Sequence, residues 1–193
     1  MPLLARSAFT VTSAVVVLLA PAAHAVPVAA APAATPTPKI VASGWSGDHG
    51  VASATCPAGT GLSTGGFDSQ NTRNGYGQNT DGVEENAPSP TKANTWLVQM
   101  ARGKAKAFAL CVPGAPTPSI VASGWVDDGG TARATCPAGM AMIGGGADSK
   151  AYKNGYGNVT DTQQINAPDD KKANTWMAQM MIGSSRALVM CTK

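Results

Sequence analysis

The chain has 193 residues, of which 14 are Lys or Arg and 11 are Asp or Glu, so that its net charge is only +3. This small, mixed charge argues against nucleic-acid binding, which needs a clustered basic face, and against strong attraction to anionic membranes. The length suits one large or two small domains.

The first 25 residues have the features of a secretory signal peptide. Arg6 gives a positive start, residues 11–20 are apolar or small, and Ala23 and Ala25 occupy the positions that a signal peptidase reads. The apolar run is shorter than the roughly 20 residues that a membrane-spanning helix needs. The pattern predicts an extracellular protein, cleaved after Ala25, with no membrane insertion of the mature chain.

The rest of the chain carries one pattern twice, 80 positions apart and without a gap. Trp45, Cys56, Asn74, Trp96 and Cys111 recur as Trp125, Cys136, Asn154, Trp176 and Cys191. The predicted organisation is a signal peptide (1–25), an Ala/Pro/Thr-rich linker (26–38), repeat 1 (39–112), a Pro-rich linker (113–118) and repeat 2 (119–193).

Each repeat is predicted to be all-β, with five or six short strands separated by turn signals. In repeat 1 the predicted strands are 40–45, 51–56, 60–67, 95–101 and 105–112, and the last two are predicted to form a hairpin. The segment from Asp68 to Pro90 is predicted to be a long polar loop containing a type I′ turn at Asn74-Gly75. Overall we expect two tandem, sandwich- or prism-like β domains.

Two glycines inside a predicted strand need a packing reason. Gly65-Gly66 recurs as Gly145-Gly146, and interior glycine weakens a strand unless something approaches closely. Trp45 or Trp96 is the expected neighbour of this pair. All four tryptophans (45, 96, 125 and 176) are predicted to be core anchors.

Four cysteines allow three disulfide pairings. If each repeat is a folding unit, the bridges are Cys56–Cys111 and Cys136–Cys191, and each closes a 55-residue loop that stabilises the fold by roughly 4 kcal/mol. A zinc site is the competing use of paired cysteines. It is disfavoured, because the chain has no C-x-x-C and one histidine, His49, after the signal peptide.

Residues for acid–base or nucleophilic catalysis are sparse. His49 corresponds to Gly129 in repeat 2, so we interpret it as an exposed turn residue rather than a general base. The pair Glu84-Glu85 could suggest glycoside cleavage, but its counterparts are Gln164-Ile165. The acids present in both repeats are Asp48, Asp68 and Asp81, with Asp128, Asp148 and Asp161; such residues could form a dyad but more often cap turns. We predict a protein that is not an enzyme, with no catalytic residues, cofactor or metal.

A binding site is a more natural use of the polar residues. Sugars are bound by Asp and Asn side chains, which exchange hydrogen bonds with hydroxyl groups, and by aromatic rings that cover the C–H face. The candidate ligand-binding residues are Asp68, Asn74, Tyr76, Asp81 and Asn86 in repeat 1 and Asp148, Asn154, Tyr156, Asp161 and Asn166 in repeat 2. Asn-Gly could instead be only a turn, and Tyr76 could cover the core.

The leading functional prediction is therefore a secreted, lectin-like, non-enzymatic module that binds an extracellular glycan or wall polymer, with two sites that gain avidity. The alternative is a structural or protein-interaction protein, such as a surface component or a protease inhibitor.

The pattern of repeat 2 comprises Trp125, Cys136-Pro137-Ala138-Gly139, Gly144-Gly145-Gly146, Asn166-Ala167-Pro168, Trp176 and Cys191. With this pattern, nearly the whole mature chain resembles a group of small secreted bacterial tandem domains. Repeat 1 departs from it at Thr64, where repeat 2 has Gly144. The resemblance implies secretion and a β fold and implies no activity. A looser similarity links the tryptophans and Cys-Pro-x-Gly turns to β-prism proteins.

Overall fold

The computed structural model describes residues 37–70, 82–151 and 163–193. These residues contain β-strands and no helix, which confirms the predicted all-β class. Repeat 1 contains β1 (Lys39–Ala42), β2 (Val51–Thr55), β3 (Thr60–Gln70), β4 (Val83–Pro88), β5 (Thr95–Met100) and β6 (Lys104–Pro113). Repeat 2 contains β7 (Ser119–Ala122), β8 (Val126–Asp127), β9 (Ala132–Thr135), β10 (Ala141–Ala151), β11 (Gln163–Pro168), β12 (Thr175–Met180) and β13 (Gly183–Thr192).

The strands of each repeat pair in two antiparallel groups of three. In repeat 1 these groups are β1-β6-β3 and β2-β5-β4. The same pairings recur in repeat 2 as β7-β13-β10 and β9-β12-β11, with the short β8 also paired to β13. Equivalent residues of the two repeats therefore occupy equivalent strands.

A thin core of small side chains lies between the two groups of each repeat. In β6 every second residue faces this core, so that Ala105, Ala107 and Ala109 are fully buried. One disulfide crosses each core: Cys56 and Cys111 have Cα atoms 5.5 Å apart, and Cys136 and Cys191 have Cα atoms 5.7 Å apart. Both predicted pairings are confirmed, and each bridge links the two strand groups of its own repeat.

Tryptophan packing explains the first glycine of each pair. A Cβ placed on Gly65 would overlap the Trp96 ring, and one placed on Gly145 would overlap the Trp176 ring. The glycine thus lets a large indole lie flat against the strand, as the sequence predicted for Trp96.

The two repeats are joined by strand pairing. β4 of repeat 1 pairs antiparallel with β10 of repeat 2, with Asn86 opposite Ala147 and Glu85 opposite Asp148. This pairing, called the junction below, produces a seven-stranded sheet in the order β2-β5-β4-β10-β13-β7, with β8 as the seventh strand, paired to β13. Met190 of β13 also packs into the core of repeat 1. Residues Thr35–Lys193 accordingly form one compact unit.

Two details of the predicted strands are wrong. The last two strands of a repeat do not form a hairpin, because β5 and β6 lie in different strand groups. Gly103, with a φ of 84°, lies in the connection between them, and its N–H is held by Asp48 Oδ1 at 2.6 Å. The segment from Asp68 to Pro90 is also not all loop, since it contains the end of β3 and the whole of β4. The predicted turn at Asn74-Gly75 lies outside the described residues.

Within the described ranges, no helix has the length and apolar character needed to cross a membrane. Two disulfides and no free cysteine fit folding in an oxidising compartment.

Candidate functional site

An exposed tryptophan occupies the same place in each repeat. Trp45 is 41% exposed and Trp125 is 38% exposed, so the prediction that these two rings are core anchors is wrong. Trp96 is buried as predicted. The physical reason is local: Trp45 follows the end of β1, where the chain no longer pairs residue by residue with β6.

Serine side chains hold this departure from the strand in place. The Ser43 N–H donates to the Ala107 carbonyl at 2.9 Å, and the Ala107 N–H donates to Ser43 Oγ at 2.9 Å. Ser46 makes the same pair of bonds with Ala105, at 2.7 and 2.9 Å. Gly44 and Trp45 lie between these two hydrogen-bonded serines and do not pair with β6 themselves. The Trp45 ring is therefore directed to the surface and not into the core.

Repeat 2 adds two cations to its exposed ring. The Lys150 Nζ lies 4.3 Å from the centroid of Trp125, and the Arg186 guanidinium carbon lies 4.8 Å from it. Both distances are in the range of cation–π attraction. Ser123 anchors this segment through Ala187, as Ser43 does through Ala107.

Arg186 connects the exposed ring to two carboxyl groups at the junction. Asp148 Oδ2 accepts hydrogen bonds from Arg186 Nη2 at 2.6 Å and from Nε at 2.8 Å. Glu85 stands opposite Asp148 in the β4–β10 register, and Ser149 Oγ donates to the Glu84 carbonyl at 2.8 Å. The junction cluster, defined as Glu85, Asp148, Arg186, Lys150 and Trp125, therefore combines residues of both repeats.

The acids of this cluster hold protons more tightly than usual. Burial and, to a smaller extent, the charge of Asp148 raise the pKa of Glu85 from 4.5 to about 7, against the opposing charge of Arg186. Burial also raises the pKa of Asp148, against the hydrogen bond and charge of Arg186. A carboxyl group that is protonated near neutral pH is a typical general acid. Glu85 is, however, only 8% exposed and lies within the sheet, which keeps its carboxyl group from reaching a polymeric substrate.

The corresponding place in repeat 1 has no acid pair. Asp68 lies opposite Lys106 in the β3–β6 register, as Asp148 lies opposite Arg186. Gln70 replaces Lys150, and the residue equivalent to Glu85 is Ile165, on the far side of repeat 2. The Lys106 Nζ lies 5.5 Å from the centroid of Phe108. The exposed Trp45 is thus accompanied by a more open and less charged surface than Trp125.

Of the ten predicted ligand-binding residues, four lie in described positions. Asn86 Oδ1 accepts a hydrogen bond from Trp96 Nε1 at 2.8 Å, and Asn166 Oδ1 accepts one from Trp176 Nε1 at 2.8 Å. These oxygens position the indoles rather than face solvent. Asp148 is held by Arg186, and Asp68 is exposed on β3. The other six lie outside the described residues, namely Asn74, Tyr76, Asp81, Asn154, Tyr156 and Asp161.

The remaining candidates for catalysis lie in a turn. Asp48 and His49 are 3.5 Å apart with largely exposed side chains, and His49 has a φ of 57°. Gln99 Nε2 donates to the His49 carbonyl at 3.1 Å. Asp48 acts as a turn cap through its bond to Gly103, which is the structural role that the sequence favoured. In the described ranges, no three His, Cys, Asp or Glu side chains cluster closely enough to hold a metal ion.

No protein-family model, curated protein or solved structure matches this chain. The resemblance to secreted bacterial domains therefore stays a prediction.

Sequence reasoning missed the junction cluster and the exposure of Trp45 and Trp125. The one available signal for the exposure was the Ser43-Gly44-Trp45-Ser46 run, whose serines can replace strand hydrogen bonds.

Proposed function

We propose that the protein is a secreted, non-enzymatic module that binds an extracellular glycan or wall polymer. The observation that carries this proposal is the pair of exposed tryptophans, Trp45 and Trp125, at equivalent places in the two repeats. A soluble protein gains no stability from leaving two large rings in water, so a ligand surface is their natural use.

The chemistry around the rings fits a carbohydrate. An indole face covers the apolar C–H side of a sugar ring, and neighbouring charged groups exchange hydrogen bonds with its hydroxyl groups. Near Trp125 these groups are Arg186, Lys150 and the Asp148 carboxylate. A sugar that stacks on Trp125 would exchange the cation–π contacts of the free protein for C–H contacts.

Two rings on one compact unit would also bind one polymer at two points. A second contact made within the same complex benefits from a high effective concentration, provided that the polymer spans both rings. A repeated saccharide meets this condition better than a single small sugar does.

Binding of the protein to insoluble peptidoglycan, chitin and cellulose tests this proposal. We expect retention on at least one of them, a loss of about tenfold in affinity for Trp45→Ala or Trp125→Ala, and a larger loss for the double variant. Met181→Ala removes an exposed apolar side chain elsewhere and serves as the matched control. The proposal would be refuted if the protein bound none of the three polymers and no sugar on a glycan array. It would also be refuted if the double variant bound as well as the wild type.

Export is part of the same proposal, and it is supported by the disulfides and by the N-terminal pattern. Mass spectrometry of protein recovered from the culture medium tests it. We expect a mature N-terminus at Val26 and both bridges formed.

A further inference from the structure

One strand pairing joins the two repeats, and the strands equivalent to its two members are edge strands of other sheets. The junction joins β4 to β10, whose counterparts 80 residues away are β11 and β3. β3 is the last strand of β1-β6-β3, and β11 is the last strand of β11-β12-β9. No strand in the described part of the chain pairs with the outer edge of either one. An open strand edge is a template for pairing with another chain.

Among the described residues, no contact requires Gly66 to be glycine. At its counterpart Gly146, an added Cβ would lie 2.5 Å from Ala87 Cα and closer still to the Asn86 carbonyl, because β4 passes against it. At Gly66 an added Cβ would meet no described heavy atom within 4 Å, and the φ of Gly66 is not positive. Glycine inside a strand is costly unless another backbone approaches. Gly66 is therefore suited to the approach of a strand that the described part of one copy does not supply.

The surface around Gly66 is apolar and exposed where its counterpart is buried. Phe67 is 41% exposed, whereas the equivalent Ala147 is fully buried. Phe108 and Leu110 are half-buried, whereas the equivalent Leu188 and Met190 are fully buried, and Met190 packs into the core of repeat 1. We call these four residues the β3 face: Gly66, Phe108 and Leu110 lie on one side of the sheet, and Phe67 lies on the other side of the same edge strand.

The surface of β11 shows the same difference. Ala87, Pro88 and Trp96 are buried at the junction. Their counterparts are more exposed: Ala167 and Trp176 are half-buried and Pro168 is exposed. The sequence Asn-Ala-Pro, which lies against Gly146 at the junction, is repeated unchanged in β11. We call Ile165, Ala167, Pro168 and Trp176 the β11 face.

The charges of the two faces are compatible. In the junction register Glu85 faces Asp148, and this pair of acids is unfavourable unless one of them is protonated. The same register between β11 and β3 would place Ile165 opposite Asp68 and Asn166 opposite Phe67. No second acid is introduced, and Ile165 and Phe67 replace Glu85 and Ala147 of the junction.

We infer that the occupant of each open face is a second copy of this chain, with β11 of one copy adding antiparallel to β3 of the next. The contact repeats the β4–β10 junction between chains and joins the β11-β12-β9 sheet of one copy to the β1-β6-β3 sheet of the next. It joins two different surfaces head to tail, so it produces a ring if the rotation between copies closes and a filament if it does not.

Sedimentation velocity of the full chain from micromolar to millimolar concentration tests this inference. We expect the mass of the wild type to rise with concentration in multiples of the monomer. Gly66→Val blocks the β3 face and Ala167→Lys blocks the β11 face, so each variant alone should be monomeric. An equal mixture should form a dimer and nothing larger, because one intact β11 face meets one intact β3 face.

Two further variants protect the test from misfolding. Phe67→Lys places a charge on the β3 face and replaces Gly66→Val if that variant unfolds at a lower temperature. Val51→Lys places the same charge on an exposed residue of β2, away from both faces, and should assemble as the wild type does.

Three results would overturn the inference. The first is a wild type that is monomeric at every concentration, as it would be if another segment of the same chain covered β3. The second is oligomers that still form in the equal mixture beyond the dimer. The third is dimers formed by either blocking variant alone. None of these results bears on glycan binding, which is tested with Trp45 and Trp125.

Discussion

The junction and the two open faces are the same pair of surfaces in two different settings. Between the repeats, β4 and β10 are paired, Gly146 is filled by the approach of Ala87, and Met190 lies in a shared core. At the sheet edges, β3 keeps the same glycine and β11 keeps the same Asn-Ala-Pro sequence, but the outer edge of each lacks a described partner. The comparison separates residues that serve the fold of one chain from residues that are useful only if another strand arrives.

Substitution of the paired glycine should have the largest effect. Gly146→Val would force a branched side chain against the Asn86 carbonyl and Ala87, and we expect a loss of about 4 kcal/mol in the free energy of unfolding. Gly66→Val should change the stability of the monomer by no more than about 0.5 kcal/mol, since its Cβ meets no described neighbour. Urea unfolding at a concentration where the chain is monomeric measures both. Equal losses would show that the two glycines are not in different settings.

The acid pair makes the junction sensitive to pH. Glu85 keeps its proton up to about pH 7 in the folded protein but releases it near its ordinary pKa of 4.5 when unfolded. The folded state therefore binds more protons between these values, and the free energy of unfolding should fall by up to about 3 kcal/mol as the pH rises from about 4.5 to above 7. Asp148, whose pKa is also raised, adds a dependence of the same sign.

Glu85→Gln imitates the protonated acid, so it should flatten this pH dependence and make the protein more stable than the wild type at pH 8. Urea unfolding at several pH values measures the effect. Asp170→Asn, an exposed change of the same charge, should leave the slope as it is. A wild-type stability that is constant or rises over this pH range would contradict the protonated state of Glu85.

The two indole hydrogen bonds should differ by a smaller amount. Asn86→Ala leaves the Nε1–H of a buried Trp96 without its partner and should cost about 2 kcal/mol. Asn166→Ala should cost about 1 kcal/mol or less, because water can reach the half-buried Trp176. Thermal unfolding of the two variants compares them, and a larger cost at Asn166 would reverse the expected order.

Local rules predicted much of each repeat. Turns at Cys-Pro-x-Gly, the strand class, the disulfide pairs and the contact between Gly65 and Trp96 all follow from spacing and from the duplication. Their physical causes act over short distances or are repeated in both copies, so the sequence displays them directly.

The remaining features depend on tertiary contacts. Glu84-Glu85-Asn86 has the composition of a loop, and it becomes β4 because β5 and β10 pair with it from either side. The acid pair, Glu85 and Asp148, has one member in each repeat. A comparison of the two repeats position by position therefore does not bring these two residues together. Trp45 was misplaced because its strand-like neighbours suggested burial, while Ser43 and Ser46 end the regular pairing.

The placement of the two bridges limits how far this protein can be stretched. Residues 56–111 and 136–191 are each closed into a covalent loop by a disulfide. A pulling force on the two ends of the chain therefore passes through the sulfur atoms and bypasses most of the strands of both repeats. Only residues outside the loops, including 112–135 between them, can lengthen under load. With its bridges intact, a molecule pulled from both ends can have its repeats separated, but the chain inside neither loop can be extended.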